Sequence, residues 1–421
     1  MTLERLDNRV EIVEIERIGA QGDGVGHVEG QPVFVPFTLA GERVSVAVDG
    51  ERAQLVEVLL PSEERISPAC RHFKRCGGCA LQHMSPAAYA KWKRGLVEDA
   101  FAQRGISIAA APLMQAGPQS RRRAVLSAVY TRAGVVLGFH AARGATVIDV
   151  EECPVLVPRI SGALAEMRTL LAALPRWEDE ARVTIVAADN GLDVGIENAV
   201  AKGGLDASMS ARLAADAARI GDLVRVSVDG VPAYQRGAPV IRMGAADVSA
   251  PAGVFLQASA AAEQAMADVV VNALPRRAKR AVDLFCGVGA FTFPLAARVA
   301  VTAVDSDKRA VAALEQASRG AQGLKPVTTL YRDLFREPLS RKELDPFDLA
   351  VLDPPRAGAK AQAEMLARSK VPVVVAVSCN PATLARDVRI LLDGGYKLGA
   401  VTPVDQFHWS AHVEAVAVMT R

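Results

Sequence analysis

Strand and helix patterns alternate regularly through the carboxyl-terminal part of the chain, from Gln257 onwards. Short apolar runs such as RAVDLF, VTAVD, FDLAVLD and PVVVAVS are each followed by a stretch of helical periodicity. Buried strands that alternate with helices are typical of a doubly wound α/β sheet with helices on both faces. Ligands of such sheets bind beyond the carboxyl ends of the strands. The alternation therefore predicts a Rossmann-like domain and the edge at which its functional residues lie.

The chain is long enough for two or three domains, and its composition restricts their class. It has 421 residues, of which 50% are hydrophobic, and this excludes a wholly disordered protein. No apolar run approaches the roughly 20 residues of a membrane span, and the first residues lack the apolar core of an export signal. Six cysteines are too few for a disulfide scaffold. We therefore expect a cytoplasmic protein with no membrane association, and the sequence implies no obligatory protein partner.

The remainder of the chain shows two other patterns. Residues 10–60 contain five short strand-like runs separated by glycine-rich turns, which predicts a small β-barrel of the oligonucleotide-binding (OB) kind. Residues 121–260 mix strands with helices. These changes predict an OB-like barrel at residues 1–62, a mixed α+β central domain at 63–250 and the α/β domain at 251–421.

Basic residues are concentrated in one segment, residues 65–144. The whole chain has a formal net charge of +2, but this segment holds thirteen Lys and Arg against two acids, a net charge of +11, which leaves −9 elsewhere. Such an excess is typical of a surface that contacts nucleic-acid phosphates, and Arg121, Arg122 and Arg123 are candidates for those contacts. The alternative is a solvated face that merely lacks acids.

A glycine-rich turn, CGVGAF, follows the first strand of the α/β region and opens a helix. Gly287 and Gly289 would let a ligand approach the amino terminus of that helix closely. Asp305 ends the next strand, eighteen residues after Gly287, where a carboxylate can accept hydrogen bonds from ribose hydroxyls. Thr292 stands where a dinucleotide-binding motif would have a third glycine, which favours S-adenosylmethionine over NAD. The alternative is a purely structural turn.

Two later strands end in residues suited to chemistry, Asp353 and Cys379. Asp353 is followed by two prolines, which stop the strand. Its carboxylate can hold the methionyl amine of the cofactor or an edge of the substrate, unless the segment is an ordinary strand-terminating turn. Cys379 follows an apolar strand and precedes a helix that starts near Pro381. Because a helix amino terminus lowers the pKa of a thiol, this position predicts a reactive thiolate.

A thiolate at the end of this strand suggests methyl transfer to uracil. C5 of uracil is a poor nucleophile until a thiolate adds to C6 and generates an enolate. A base must then remove the C5 proton so that the thiolate can be eliminated. Glu414, close in sequence to Asp405 and His412, is the candidate base.

Four of the six cysteines have a spacing typical of a metal site. Cys70, Cys76 and Cys79 are separated by five and two residues, and Cys153 can supply a fourth thiolate. Four thiolates suit either tetrahedral zinc or a 4Fe–4S cluster, and the spacing alone leaves both open. A fourth cysteine favours a closed structural site over a cluster with an open iron.

The motifs DLFCGVGAFTFPLA, LDPPRAG, SCNPATLARD and HVE together resemble the RNA (uracil-C5)-methyltransferase family. The segment GDGVGHVEGQPVFVPFTLAGERV is similar to the TRAM barrel of that family, and CRHFKRCGGCALQH to its iron–sulfur motif. The resemblance covers nearly the whole chain and implies S-adenosylmethionine-dependent methylation of a uridine, with Cys379 as nucleophile and Glu414 as base. Together with the glycine-rich turn, it indicates as cofactor contacts Gln257, Phe285, Gly287, Ala290, Asp305, Asp333 and Asp353.

The resemblance also bears on the cluster and the substrate. It favours a 4Fe–4S cluster over zinc at the four cysteines. Cluster-bearing members act on 23S ribosomal RNA, so 23S rRNA is the expected partner, with transfer RNA as the alternative substrate. Two other hypotheses are a non-catalytic RNA-binding or ribosome-assembly protein, and a cytosine-C5 enzyme that would need Cys286 as its second cysteine. The chain departs from the family at Ala290, where Asn is frequent, and at Asp305, where Glu is common.

Overall fold

The computed structural model describes residues 10–200 and 204–421. The first nine residues, on which the expected lack of an export signal partly depends, lie outside the described residues. No helix in the described ranges is long and apolar enough to cross a membrane.

The amino-terminal region forms a six-stranded sheet in the order β1-β5-β6-β4-β3-β2. Its strands are β1 (Val10–Glu14), β2 (Arg17–Ile18), β3 (Gly24–Val28), β4 (Gln31–Val35), β5 (Arg43–Asp49) and β6 (Arg52–Leu60). Alternate valines, among them Val13, Val33, Val44 and Val46, enclose a small apolar core. The first predicted strand is divided into β1 and β2, so the sheet has six strands where the sequence predicted five.

The middle of the chain contains a seven-stranded, mostly antiparallel sheet in the order β10-β9-β8-β11-β12-β13-β14 and a separate β15–β16 hairpin. The elements, in chain order, are α1 (Pro86–Ala102), β7 (Met114–Gln115), β8 (Arg123–Thr131), β9 (Gly134–His140), β10 (Val147–Asp149), α2 (Pro158–Gly162), α3 (Leu164–Ala172), β11 (Ala181–Ala188), β12 (Gly191–Glu197), α4 (Ala207–Arg219), β13 (Leu223–Val228), β14 (Val231–Gln235), β15 (Val240–Met243) and β16 (Ala246–Ser249).

The carboxyl-terminal region is the doubly wound α/β domain that the alternation predicts. Its elements are α5 (Ala260–Asn272), β17 (Arg280–Leu284), α6 (Thr292–Ala296), β18 (Ala300–Asp305), α7 (Lys308–Gly320), β19 (Val327–Tyr331), α8 (Arg341–Leu344), β20 (Leu349–Leu352), α9 (Lys360–Arg368), β21 (Val373–Ser378), α10 (Pro381–Asp393), β22 (Lys397–Asp405) and β23 (Glu414–Thr420). The sheet order is β19-β18-β17-β20-β21-β23-β22-β7. Strands β17 to β21 are parallel, and β23 is antiparallel to both of its neighbours. The strand order reverses between β17 and β20, where such sheets bind ligands.

Helix α1 and strand β7 attach to the carboxyl-terminal sheet. Val97 and Phe101 of α1 lie in the same apolar core as Leu384 and Leu391 of α10, and Met114 of β7 pairs with β22. These two elements fall within the predicted central domain, yet they pack on the α/β sheet. The domain boundaries themselves stay a prediction.

Candidate active site

The glycine-rich turn after β17 forms a cradle that closes on Asp305. Phe285, Gly287 and Gly289 all have positive φ angles, of 64°, 52° and 107°. A Cβ atom at Gly289 would lie 2.6 Å from the Phe293 ring, so a side chain there would disrupt the turn. The backbone N–H of Gly287 donates to Asp305 Oδ2 at 2.8 Å. The turn therefore brings backbone amides and a carboxylate together at the carboxyl ends of β17 and β18.

The remaining predicted cofactor contacts lie around this cradle. Ala290 follows Gly289 in the turn and is partly exposed. Asp333 follows β19 and accepts a hydrogen bond from the backbone N–H of Phe335 at 2.9 Å. The rings of Phe335 and Phe285 lie 5.3 Å apart. An aromatic pair and a carboxylate thus border the crevice on the β19 side.

Asp283 is a buried acid that the sequence analysis did not single out. It accepts a hydrogen bond from Thr292 Oγ1 at 2.6 Å on one oxygen, while its Oδ1 has no hydrogen-bond partner among the described residues. Burial raises the pKa of this carboxyl to about 7. The signal in the sequence is one acid inside the otherwise apolar strand RAVDLF. An unpartnered buried oxygen is costly without a ligand, so Asp283 belongs with the candidate cofactor residues.

Asp353, which is partly exposed, and Glu414, which is buried, are interacting carboxyl groups on the other side of the crevice. Burial, followed by the charge of Glu414, raises the pKa of Asp353 well above its usual range. Burial also raises the pKa of Glu414 to about 7, against the opposing hydrogen bond from Gln406. Gln257 Nε2 donates to Asp353 Oδ2 at 3.0 Å. A carboxyl with a pKa near neutrality is suited to accept and release a proton.

Cys379 lies opposite Glu414 at the ends of neighbouring strands. In the antiparallel β21–β23 ladder, Ser378 pairs with Ala415, so the next facing positions are Cys379 and Glu414. Asn380 caps α10, accepting a hydrogen bond from the backbone N–H of Ala382 at 3.2 Å. The register therefore brings the predicted nucleophile and the predicted base to the same edge of the sheet.

The expected lowering of the Cys379 pKa was wrong. Burial and then the negative charge of Glu414 raise the pKa of this thiol, and the charge and hydrogen bonding of Arg356 oppose them only in part. The helix amino terminus was a correct local feature, but burial and then a carboxylate contributed by β23 outweigh it.

A cleft of about 1130 Å³ opens on Cys379. The barrel contributes Arg17 to its lining, helix α1 contributes Lys91 and Trp92, and Arg356 lies beside the cysteine. The charged residues of the lining are balanced, with Arg17, Lys91 and Arg356 against Glu16, Glu64 and Asp99. Trp92 supplies an aromatic ring of the kind on which nucleic-acid bases stack.

Arg122 does not present a free charge to the surface, so its interpretation as an RNA contact was wrong, whereas the interpretation of the half-buried Arg121 and Arg123 stays a prediction. Arg122 is buried, where it ion-pairs with Glu263 at 2.6 Å and donates to the backbone oxygen of Gln257 at 3.1 Å. Arg121 is half-buried and lines the cysteine cavity. Basic residues of the segment that do stand exposed include Lys74, Arg75, Lys91, Arg104 and Arg132.

The four predicted ligand cysteines line one small cavity of about 50 Å³. All four are free thiols, and burial raises the pKa of Cys79 to about 12, with smaller contributions from the other three. Within residues 10–200 and 204–421, no group of three or more His, Cys, Asp or Glu side chains is arranged to hold a metal ion. The structure therefore gathers the cysteines without showing a metal site.

Comparison with known proteins identifies the family. The sequence model of tRNA (uracil-5-)-methyltransferases matches residues 248–421, and that of the TRAM domain matches residues 4–54. An RNA methyltransferase of Brucella suis is 47% identical over 409 residues, covering 97% of both chains. The chain belongs to the RNA (uracil-C5)-methyltransferase family. Such methyltransferases use S-adenosylmethionine.

Two further relatives carry more detailed names. A 23S rRNA (uracil(1939)-C(5))-methyltransferase of Thiobacillus denitrificans is 31% identical, covering 97% of this chain and 99% of its own. The crystal structure of the Pyrococcus abyssi tRNA (uracil-54, C5)-methyltransferase with S-adenosyl-L-homocysteine matches with a TM-score of 0.76 at 22% identity, covering 97% of this chain and all of that one. The second match confirms the predicted fold, an α/β methyltransferase domain with an amino-terminal TRAM barrel.

Proposed function

We propose that this RNA methyltransferase modifies C5 of a uridine through a covalent adduct between Cys379 and uracil C6. The observation that carries the proposal is the register of β21 and β23, which brings Cys379 opposite Glu414 where a large cleft opens on the cysteine. A non-catalytic RNA-binding or assembly protein would need neither residue at these positions. Cys286, the second thiol that a cytosine-C5 mechanism would need, is buried in the glycine-rich turn.

The chain's residues carry out separate steps of the reaction on the target base. The Cys379 sulfur forms a bond to C6, and C5 then takes the methyl group that S-adenosylmethionine supplies. Glu414 removes the proton from C5, and the electrons of that C–H bond restore the C5–C6 double bond as the sulfur leaves. Arg356 beside Cys379 favours the thiolate. Gln257, Phe285, Gly287, Ala290, Asp305, Asp333 and Asp353 are the proposed cofactor contacts, and Asp283 is added to them.

The proposed substrate is 23S ribosomal RNA in the cytoplasm. The full-length relative that acts on 23S rRNA supports this choice, whereas the likeness to the transfer-RNA enzyme is one of fold. The test is incubation with labelled S-adenosylmethionine and either purified 23S rRNA or total transfer RNA, followed by digestion and nucleoside mapping. Labelled 5-methyluridine in 23S rRNA alone is the expected result. Label confined to transfer RNA would transfer the proposal to that substrate, and labelled 5-methylcytidine would overturn it.

We further infer that Cys70, Cys76, Cys79 and Cys153 hold a 4Fe–4S cluster. The donor set fits, because the four free thiols share one cavity. Arg121 lines the same cavity and interacts electrostatically with Cys153 and Cys79. Its positive charge can therefore offset the negative charge of a thiolate-bound cluster. Zinc, which would need all four sulfurs about 2.3 Å from a single ion, is the alternative. In this position the cluster would join the loop of Cys70–Cys79 to Cys153.

Metal analysis of protein purified without air separates the two metals. We expect about four iron and four sulfide per chain, and loss of both in Cys76→Ser. Cys286→Ser is the matched control, because Cys286 lies outside the cysteine cavity, and it should keep its iron. One zinc per chain with no iron would establish the alternative.

A further inference from the structure

Gln406 joins the carboxyl groups of Glu414 and Asp353, although neither the motifs nor the cofactor contacts include it. It follows the last residue of β22 and is buried. Its Nε2 donates to Glu414 Oε2 at 2.7 Å and to Gln257 Oε1 at 2.8 Å. Gln257 in turn donates from Nε2 to Asp353 Oδ2 at 3.0 Å. A continuous chain of side-chain hydrogen bonds thus runs from Glu414 to Asp353.

One backbone group determines the donor-to-acceptor direction of every hydrogen bond between Glu414 and Asp353. The backbone N–H of Ala258 donates to Gln406 Oε1 at 2.9 Å. Because a backbone N–H can only donate, the Gln406 oxygen must face Ala258 and its NH₂ group must face Glu414 and Gln257. Gln257 then presents its oxygen to Gln406 and its NH₂ group to Asp353. Each glutamine therefore offers a donor, and each carboxyl group must offer an accepting oxygen.

The backbone segment of Gln257 and Ala258, which anchors these hydrogen bonds, is itself held in place. Arg122 donates from Nε to the backbone oxygen of Gln257 at 3.1 Å, and its backbone N–H donates to the Ala258 oxygen at 2.8 Å. Glu263 ion-pairs with the same guanidinium. The segment that carries Gln257 and Ala258 is thus fixed by Arg122, the residue before β8, so Gln406 cannot rotate its amide without losing several hydrogen bonds.

We propose that Gln406 is a positioning residue for the methyl-transfer reaction. It holds Glu414 by one oxygen, which leaves the other oxygen to take the C5 proton, and through Gln257 it ties the base to the carboxyl group on the cofactor side. This role rests on the proposed function, because it assumes that Glu414 is the base.

The charged and polar groups around Glu414 determine how the loss of Gln406 should change the pKa of Glu414. Burial raises the pKa of Glu414, while the Gln406 hydrogen bond and the Arg356 charge lower it. Asp353 and Cys379 are the other titratable groups that face it. Without the Gln406 donor, the pKa of Glu414 rises further, so a higher pH is needed to form the carboxylate.

The test is Gln406→Met, which keeps an unbranched side chain of similar length but removes both polar atoms. We expect C5 proton release to slow by about tenfold or more, since a hydrogen bond to a charged group is lost. The covalent Cys379–RNA adduct should accumulate, and the pH midpoint of turnover should move up by about one unit. Gln264→Met is the matched control, because Gln264 is exposed on α5 and bonds only to Asp268 within the described residues. It should behave as wild type.

Gln406→Glu is the second variant, in case the methionine variant fails to fold. It is isosteric, it can still accept from Ala258, and its new carboxyl group must share a proton with Glu414. The alkaline shift should therefore be at least as large. Unfolding temperatures measured beside the kinetics show that the protein is intact.

The outcomes separate the inference from the proposed function. If the wild-type enzyme forms 5-methyluridine but both variants keep its pH midpoint and accumulate no adduct, Gln406 has no positioning role. A raised KM for S-adenosylmethionine with unchanged kcat would also overturn it, because the residue would then act in cofactor binding alone. If the wild-type enzyme itself forms no 5-methyluridine, the proposed function has failed.

Discussion

Lys93 Nζ lies 2.9 Å from Asp405 Oδ1, and both side chains are fully buried. Tyr89, one turn earlier on α1, donates to Asp405 Oδ2 at 2.7 Å, and the backbone N–H of Trp409 donates to the Tyr89 oxygen at 2.9 Å. Trp409 O in turn accepts hydrogen bonds from the backbone of Ala80 and Leu81, next to Cys79. Helix α1 and the loop after Cys79 are thus both hydrogen-bonded to the segment between β22 and Glu414.

Lys93→Met should destabilise the protein strongly. The pKa of Asp405 lies below its usual value in spite of burial, because its neighbours His408, Lys93 and Tyr89 favour the carboxylate. Removing the lysine leaves that carboxylate buried without its counter-charge, which costs about 3–5 kcal/mol. Urea unfolding measures the change. Lys91→Met, two residues away but exposed, should lie near wild type, and equal stabilities of the two variants would contradict the interpretation.

Cys379→Ala should abolish methyl transfer while leaving RNA affinity nearly unchanged, since only the bond to C6 is lost. The measurement is label transfer from S-adenosylmethionine, together with RNA binding by filter retention. Cys286→Ala should still form the covalent adduct, because burial keeps that thiol protonated and raises its pKa well above the usual value. Turnover of Cys379→Ala close to wild type would exclude covalent catalysis.

Glu414→Gln should trap the covalent protein–RNA adduct, visible as a shifted band on a denaturing gel. In the wild-type enzyme, the pKa of Glu414 is raised to about 7. The carboxylate fraction therefore grows as the pH rises through about 7, and release of the adduct should accelerate over that range. The glutamine variant has no such group, so its slow release should not show this rise. A variant that turns over without an adduct would remove Glu414 from the role of base.

Lys91→Glu should weaken RNA binding and lower the salt dependence by about one counterion, because Lys91 is exposed and lines the cleft that opens on Cys379.

Arg122→Met should instead lower the stability of the protein, because Glu263 would remain buried without its partner. Titration of RNA at several salt concentrations measures the RNA affinity of both variants, and thermal unfolding measures the stability of Arg122→Met. A reduced salt slope in Arg122→Met with unchanged stability would restore the original interpretation of Arg122.

Much of this site could be predicted because its residues mark the ends of strands. Cys379 and Asp353 follow apolar runs, and the glycines after β17 are needed for a turn with positive φ angles. The pKa of the Cys379 thiol could not be predicted in the same way, because it depends on burial and on Glu414, which lies on a strand that pairs with β21 only in the folded sheet. The function of Arg122 was misread for the same reason, since Glu263 lies 141 residues away in sequence.

The sequence by itself determined the fold class, the family and the positions of the candidate nucleophile, base and ligand cysteines, because periodicity and turn chemistry act over a few neighbouring residues. Only the tertiary structure decided which charges are buried, which carboxyl groups titrate near neutrality and how Gln257 and Gln406 are joined across 149 residues. Burial and hydrogen bonding depend on atoms contributed by distant segments. A local pattern therefore locates a side chain on its strand, whereas its charge state depends on its neighbours in space.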